Sequence, residues 1–132
     1  MIGLDTNVIL RFLLADDPAQ GAAARAVFEG LTEDNPGYVN IITLVELVWT
    51  LRNRYRISRE QVADIVAGLL GSRDIVLEDE AVVEMAVDRA SQMAGELPDL
   101  LIALRNSEAG CSRTMTFDRA AARAVPGMEL IP

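Results

Sequence analysis

The sequence predicts an α/β fold, a mainly parallel sheet of four to five strands with helices on both faces. Short apolar runs alternate with longer stretches of helical periodicity along the whole chain, the pattern of strands connected by crossover helices. Pro18, Pro98 and Gly110 stand where helices begin or end. A length of 132 residues, about half apolar and a quarter charged, suits a single globular domain over 1–132 with a sizeable core.

Ile2 to Leu4 is an apolar run ending at Asp5, and Asn7 to Leu14 then has a helical pattern, so a strand leads straight into a helix. A second helix covers the Ala-rich stretch from Ala19 to Leu31, with Pro18 tolerated in its first turn. Asn35-Pro36-Gly37 breaks the chain before a strand from Tyr38 to Ile41. Thr43 starts a helix to about Tyr55, and Thr43-Leu44-Val45-Glu46 matches a capping box. Ser58 with Gln61 predicts another cap, for a helix ending near Gly71. Ile75 to Leu77 is a third strand, followed by a helix from about Glu80 to Ala94 that Gly95 stops. Pro98 opens a helix from about Asp99 to Glu108, and Gly110 ends it. Thr114 to Thr116, Asp118 to Ala124 and Met128 to Ile131 then read as strand, short helix and fifth strand.

Composition removes several chemistries. With no His and one Cys, neither a zinc site nor a thiol–imidazole nucleophile has its parts, and Cys111 reads as a small, partly buried residue. Asp5 and Arg11 interrupt the apolar residues from Ile2 to Leu14, unlike a secretory signal, and no segment reaches the roughly 18 apolar residues of a membrane span. A cytoplasmic protein without a membrane partner is expected. The formal charge of −8 opposes attraction to a polyanion, yet all 12 cationic residues are Arg, whose fork suits phosphate. Arg52, Arg54, Arg56 and Arg59 crowd together; such a run serves phosphate contact or a solvated helix end equally well.

In an open parallel sheet, ligands bind in the crevice beyond the carboxyl ends of the strands. Asp5 closes the first strand and Asp118 lies just past the fourth, while Glu46 and Asp99 sit near helix starts in strongly apolar surroundings. An ionised carboxylate there is costly unless paired or bound to a cation, and four together repel one another. A divalent Mg²⁺ or Mn²⁺ ion, which takes hard oxygen ligands and lowers the pKa of bound water, resolves that conflict. Each position also suits a helix cap, since Asp favours the positive end of a helix. Thr6, Asn7 and Thr116 are candidate supports for the acids, with capping the rival role for Thr6 and Asn7.

The residues carrying these features resemble the PIN-domain ribonucleases, particularly VapC-type toxins of toxin–antitoxin pairs. Gly3-Leu4-Asp5-Thr6-Asn7-Val8-Ile9-Leu10-Arg11 is similar to the family's opening motif, and Thr43 to Glu46, Pro98 to Ala103 and Thr116 to Arg119 follow in matching order. The resemblance implies a three-layer α/β/α sandwich and Mg²⁺- or Mn²⁺-dependent hydrolysis of RNA. It assigns catalysis to Asp5, Glu46, Asp99 and Asp118, with Asp5 and Asp99 the principal metal ligands and Thr116 assisting. A homodimer and an antitoxin that blocks the site are implied as partners. Arg11, Arg52, Arg54 and Arg56 become candidate contacts to RNA phosphate. Trp49 and Tyr55 could stack on bases, but Trp49, in an apolar helical stripe, reads as core. Leu100 departs from the Ala that commonly follows the family's third acid, and Glu96 stands where some members carry a further acid.

Three rival readings remain. A housekeeping RNA-processing nuclease would share the same acids. A phosphoacceptor domain also uses acids at the rim of a parallel sheet but needs a cationic partner, usually Lys, and the chain has none. A binding module that lost catalysis is disfavoured by the presence of all four acids.

Overall fold

The computed structural model describes residues 1–132. Strands β1 (Ile2–Gly3), β2 (Gly37–Val39), β3 (Ile75–Leu77), β4 (Thr114–Thr116) and β5 (Met128–Leu130) are interleaved with seven helices. These are α1 (Thr6–Leu13), α2 (Pro18–Glu29), α3 (Ile41–Asn53), α4 (Arg59–Gly71), α5 (Glu80–Gln92), α6 (Leu97–Glu108) and α7 (Arg119–Ala124). Every strand pairing is parallel, and the α/β class agrees with expectation, consistent with an α/β/α sandwich.

The continuous sheet is nevertheless divided. β1, β2 and β3 pair in that order, while β4 and β5 form a ladder of their own. β1 is only two residues long, and its flanking amides are directed at β2: Ile2 N donates to Pro36 O and Leu4 N to Tyr38 O, both at 2.9 Å. No main-chain hydrogen bond joins β1 to β4.

The core gathers where the helices cover β2 and β3. Val39, Ile75 and Leu77 are buried on the strands, and Ile9, Leu44, Leu47, Leu51, Val66, Val83, Leu100 and Leu101 arrive from the helices. Gly37 lets the core close tightly at the start of β2: a Cβ there would lie 2.7 Å from Leu4 Cδ1 and 3.0 Å from Leu31 Cδ1, so those side chains would have to shift. Gly110 adopts φ +98° just past α6, the left-handed turn that ends a helix without steric cost. Asp79 also adopts a positive φ, +54°, at the entrance to α5, and its carboxylate pairs with Arg105 of α6. No helix is long and apolar enough to cross a membrane.

Three expectations are corrected. The cap of α3 is Asn40, whose Oδ1 accepts the Thr43 amide at 2.8 Å, so Thr43 lies inside the helix and the capping box does not form. Helix α3 starts earlier because the Ile41 amide also finds an acceptor, Glu78 Oε1, at 2.8 Å. Trp49 is 59% exposed rather than core, since Leu44, Leu47, Val48 and Leu51 already supply the buried face of α3. Cys111 is exposed in the turn after α6 rather than partly buried.

Candidate active site

The carboxyl ends of the strands present the acids. At Asp5 the chain leaves β1 and enters α1 in an extended conformation, yet this residue at the capping position accepts no hydrogen bond from the helix. Elsewhere the same position is used as a cap: Asp17 accepts from Gln20 N, Asn40 from Thr43 N and Ser58 from Gln61 N. The Asp5 carboxylate is therefore exposed and uncommitted. Thr6, beside it, is buried.

Asp118 does cap. Its Oδ1 accepts the Ala121 amide at 3.0 Å, which opens α7 and leaves the second carboxylate oxygen outside that bond. Thr116 Oγ1 accepts the Asp118 amide at 3.0 Å, so the threonine orients the aspartate through its backbone. Asp99 lies in the first turn of α6 and is half-buried. Burial raises its pKa above the usual carboxylate value, and the negative charges of Asp118 and Glu96 raise it further. Residues remote in sequence are thus close enough to oppose each other's ionisation.

Glu46 is exposed, in the second turn of α3. Glu96 is engaged elsewhere: Arg52 Nε and Nη2 donate to its two oxygens at 3.0 and 2.7 Å, a bidentate pair that holds its pKa low against burial. Arg52 Nη1 donates to Ile57 O at 3.0 Å, so all three nitrogens of the guanidinium are engaged. Arg11 is likewise held, by Asp16 and Gln20. Arg54 and Arg56 have no carboxylate partner in the chain. Of the candidate phosphate contacts, these two keep free charge.

The carboxyl of Asp99 feels the charge of Asp118, but the four acids do not close a ring: no group of three carboxylates lies where one ion could be shared. Asp5, Glu46 and Asp118 are all exposed. Sequence reasoning missed Glu78, a further acid just past a strand end. The rule that placed Asp5 finds it too, although its Oε1 is occupied by the α3 amide.

The PIN domain family model matches residues 2–125, nearly the full length and a span within which all four acids fall. The chain belongs to the PIN-domain family. PIN domains are in general nucleases that use divalent metal ions. No curated protein sequence matches this PIN domain. Its donor set fits a hard cation: oxygen ligands only, with Asp99 crowded by Asp118 where positive charge would relieve the repulsion.

Proposed function

We propose that this PIN domain is a Mg²⁺- or Mn²⁺-dependent endoribonuclease and the toxin of a VapBC-type pair. The reading is supported by the family match over residues 2–125, by an Asp5 that occupies a cap position without capping, and by a half-buried Asp99 whose carboxyl pKa is pushed up by burial and by the negative charge of Asp118 and Glu96. A carboxyl held half-buried near other negative charge costs stability, and such a cost at the mouth of a sheet points to a use for it.

In this reading Asp5 and Asp99 hold the ion, and Glu46 and Asp118 complete the site or orient water. The ion supplies a lowered pKa for water and offsets charge on the phosphodiester. Thr116 fixes Asp118, leaving its uncapped oxygen for water or ligand. Arg54 and Arg56 meet backbone phosphates and partly offset the acidic surface. The exposed Ile42, Trp49 and Ile102 on α3 and α6 support pairing of two copies, which light scattering tests.

Incubation with RNA should give Mg²⁺- or Mn²⁺-dependent cleavage, with 5′-phosphate and 3′-hydroxyl ends, lost on chelation. Asp5→Asn and Asp99→Asn should abolish it while the circular dichroism spectrum is kept. Full activity in both variants removes them from the mechanism. Expression alone should arrest growth, and a small neighbouring gene's product should restore it; harmless expression of an active enzyme favours a housekeeping role.

A further inference from the structure

We propose that the cleft between α1 and α2 is a nucleobase pocket that selects the base beside the cut. The inference rests on the ribonuclease reading above and adds a specificity site to it. The cleft holds about 280 Å³, with apolar walls from Val8, Ala23 and Val27 and polar groups from Asn7, Arg11 and Gln20. That is near the roughly 300 Å³ lower end of ligand clefts, room for one ring system.

Its position follows from the helix that carries Asp5. Asn7 lies in the first turn of α1, and Arg11 lies one turn further on the same face, about 6 Å along the axis. The cleft thus begins at Asn7, in the first turn of the helix that Asp5 precedes.

The polar groups are held in place. Arg11 Nε donates to Gln20 Oε1 at 2.8 Å, and its Nη1 donates to both oxygens of Asp16 at 2.9 and 3.0 Å. The Tyr55 hydroxyl donates to Asp16 Oδ2 at 3.3 Å, tying the assembly to the end of α3. With its charge met by Asp16, Arg11 is a poor phosphate clamp, but its flat guanidinium is fixed and suited to stacking. The Gln20 oxygen is taken, which leaves its amino group as donor, while the exposed Asn7 amide offers both a donor and an acceptor. Two amides beside an apolar wall and a planar cation match a base, which presents donors and acceptors at its edge and apolar faces above and below.

Charge favours RNA over a peptide as the occupant. Arg54 and Arg56 are without acidic partners, Arg54 lies 5.8 Å from the centre of the Tyr55 ring, and the Tyr55 hydroxyl is bonded to Asp16, the partner of Arg11. Two uncommitted cations thus flank, in sequence, the tyrosine tied to this assembly, positive charge available to a phosphate backbone.

Isotope-labelled Asp5→Asn protein, which binds without cutting, is titrated with short single-stranded homopolymeric oligoribonucleotides and followed by NMR. The side-chain amides of Asn7 and Gln20 and the backbone amide of Ala23 should shift, with one base preferred. Adding Ala23→Phe, which fills the cleft from an exposed position, should weaken binding about tenfold, as for loss of one stacked base. The single Ala23→Phe variant, checked for an unchanged Tm, should lose the base preference at the cut when RNA ends are sequenced. Gln20→Met provides a second variant that removes the amide at similar length. Resonances that stay in place, or affinity and cut pattern both unchanged by Ala23→Phe, overturn the proposal, as does a protein segment shown to fill the cleft while oligoribonucleotide leaves it untouched. Base-selective binding without metal-dependent cleavage by the wild type defeats the nuclease reading and keeps the pocket. Cleavage with an unaltered preference in Ala23→Phe defeats the pocket and keeps the nuclease.

Discussion

Leu100→Ala would bring the chain closer to the residue common after the family's third acid, yet the structure predicts a large loss of stability. Leu100 is 0% exposed, in the first turns of α6. Gly95 faces it: a Cβ built on that glycine would lie 3.5 Å from Leu100 Cγ and 3.6 Å from Cδ2. Truncation removes the leucine's buried carbons and leaves a hole bordered by a residue with no side chain to move into it. Leu→Ala changes in cores cost about 2.7–5 kcal/mol, rising with the cavity that remains. Poor collapse here places the expected value at about 3–4 kcal/mol, or a Tm lower by roughly 10–20 °C at this chain length. Urea unfolding followed by circular dichroism measures it. Asp99 precedes Leu100 but is half-buried at the crevice, so RNA cleavage well below the new Tm should stay within a few-fold of wild type. A loss below about 1 kcal/mol would refute the reasoning, because it would mean that α6 does not pack as described.

Asp99→Asn should raise Tm at neutral pH in metal-free buffer while destroying cleavage. The folded state holds the Asp99 proton more tightly than the unfolded state, so stability from this group is fully present below the unfolded pKa and lost as pH rises through the folded one. A lower Tm in the variant would contradict that sign. Arg52→Ala should cost about 1 kcal/mol after screening, since the paired side chains are 30% and 41% exposed. Glu96 has a depressed pKa, so this contribution is present above the unfolded pKa and lost as pH falls through the folded one. Denaturation midpoints of wild type and variant should therefore converge in acid, and a constant gap would assign the cost to packing. Gly37→Ala should destabilise by about 1–3 kcal/mol in the same assay, because the new methyl meets Leu4, Leu31 and Ile75 at 2.7, 3.0 and 3.1 Å. A neutral result would mean that those side chains swing aside freely.

Elements with strong periodicity and clear punctuation were legible in the residues. The predicted bounds of β3 and β4 match the structure, and Pro18 and Gly110 serve at the helix ends where their backbone limits place them. α3 was harder because it is apolar on several faces. Ile42, Val45 and Trp49 continue the pattern that Leu44, Leu47 and Val48 begin, so periodicity does not say which side faces water. Its cap was misplaced because Asn40 and Thr43 are both good capping residues, and a distant acceptor, Glu78, decides between them. At the site, strand ends indicated where Asp5 and Asp118 emerge, but local patterns could not reveal that one caps and the other does not. The pairings of Arg11 with Asp16 and Arg52 with Glu96 depend on loop geometry and on separate helices, which local spacing does not encode.

The gap between β1 and β4 bears on what fixes the spacing of the acids. Asp5 rides on the three-stranded half and Asp118 on the two-stranded half, with no backbone ladder tying the two shores. Small changes in their separation break no strand pairing, so the spacing of these two acids is set by side-chain packing in the shared core, to which Leu4 and Val125 both contribute, rather than by backbone hydrogen bonds.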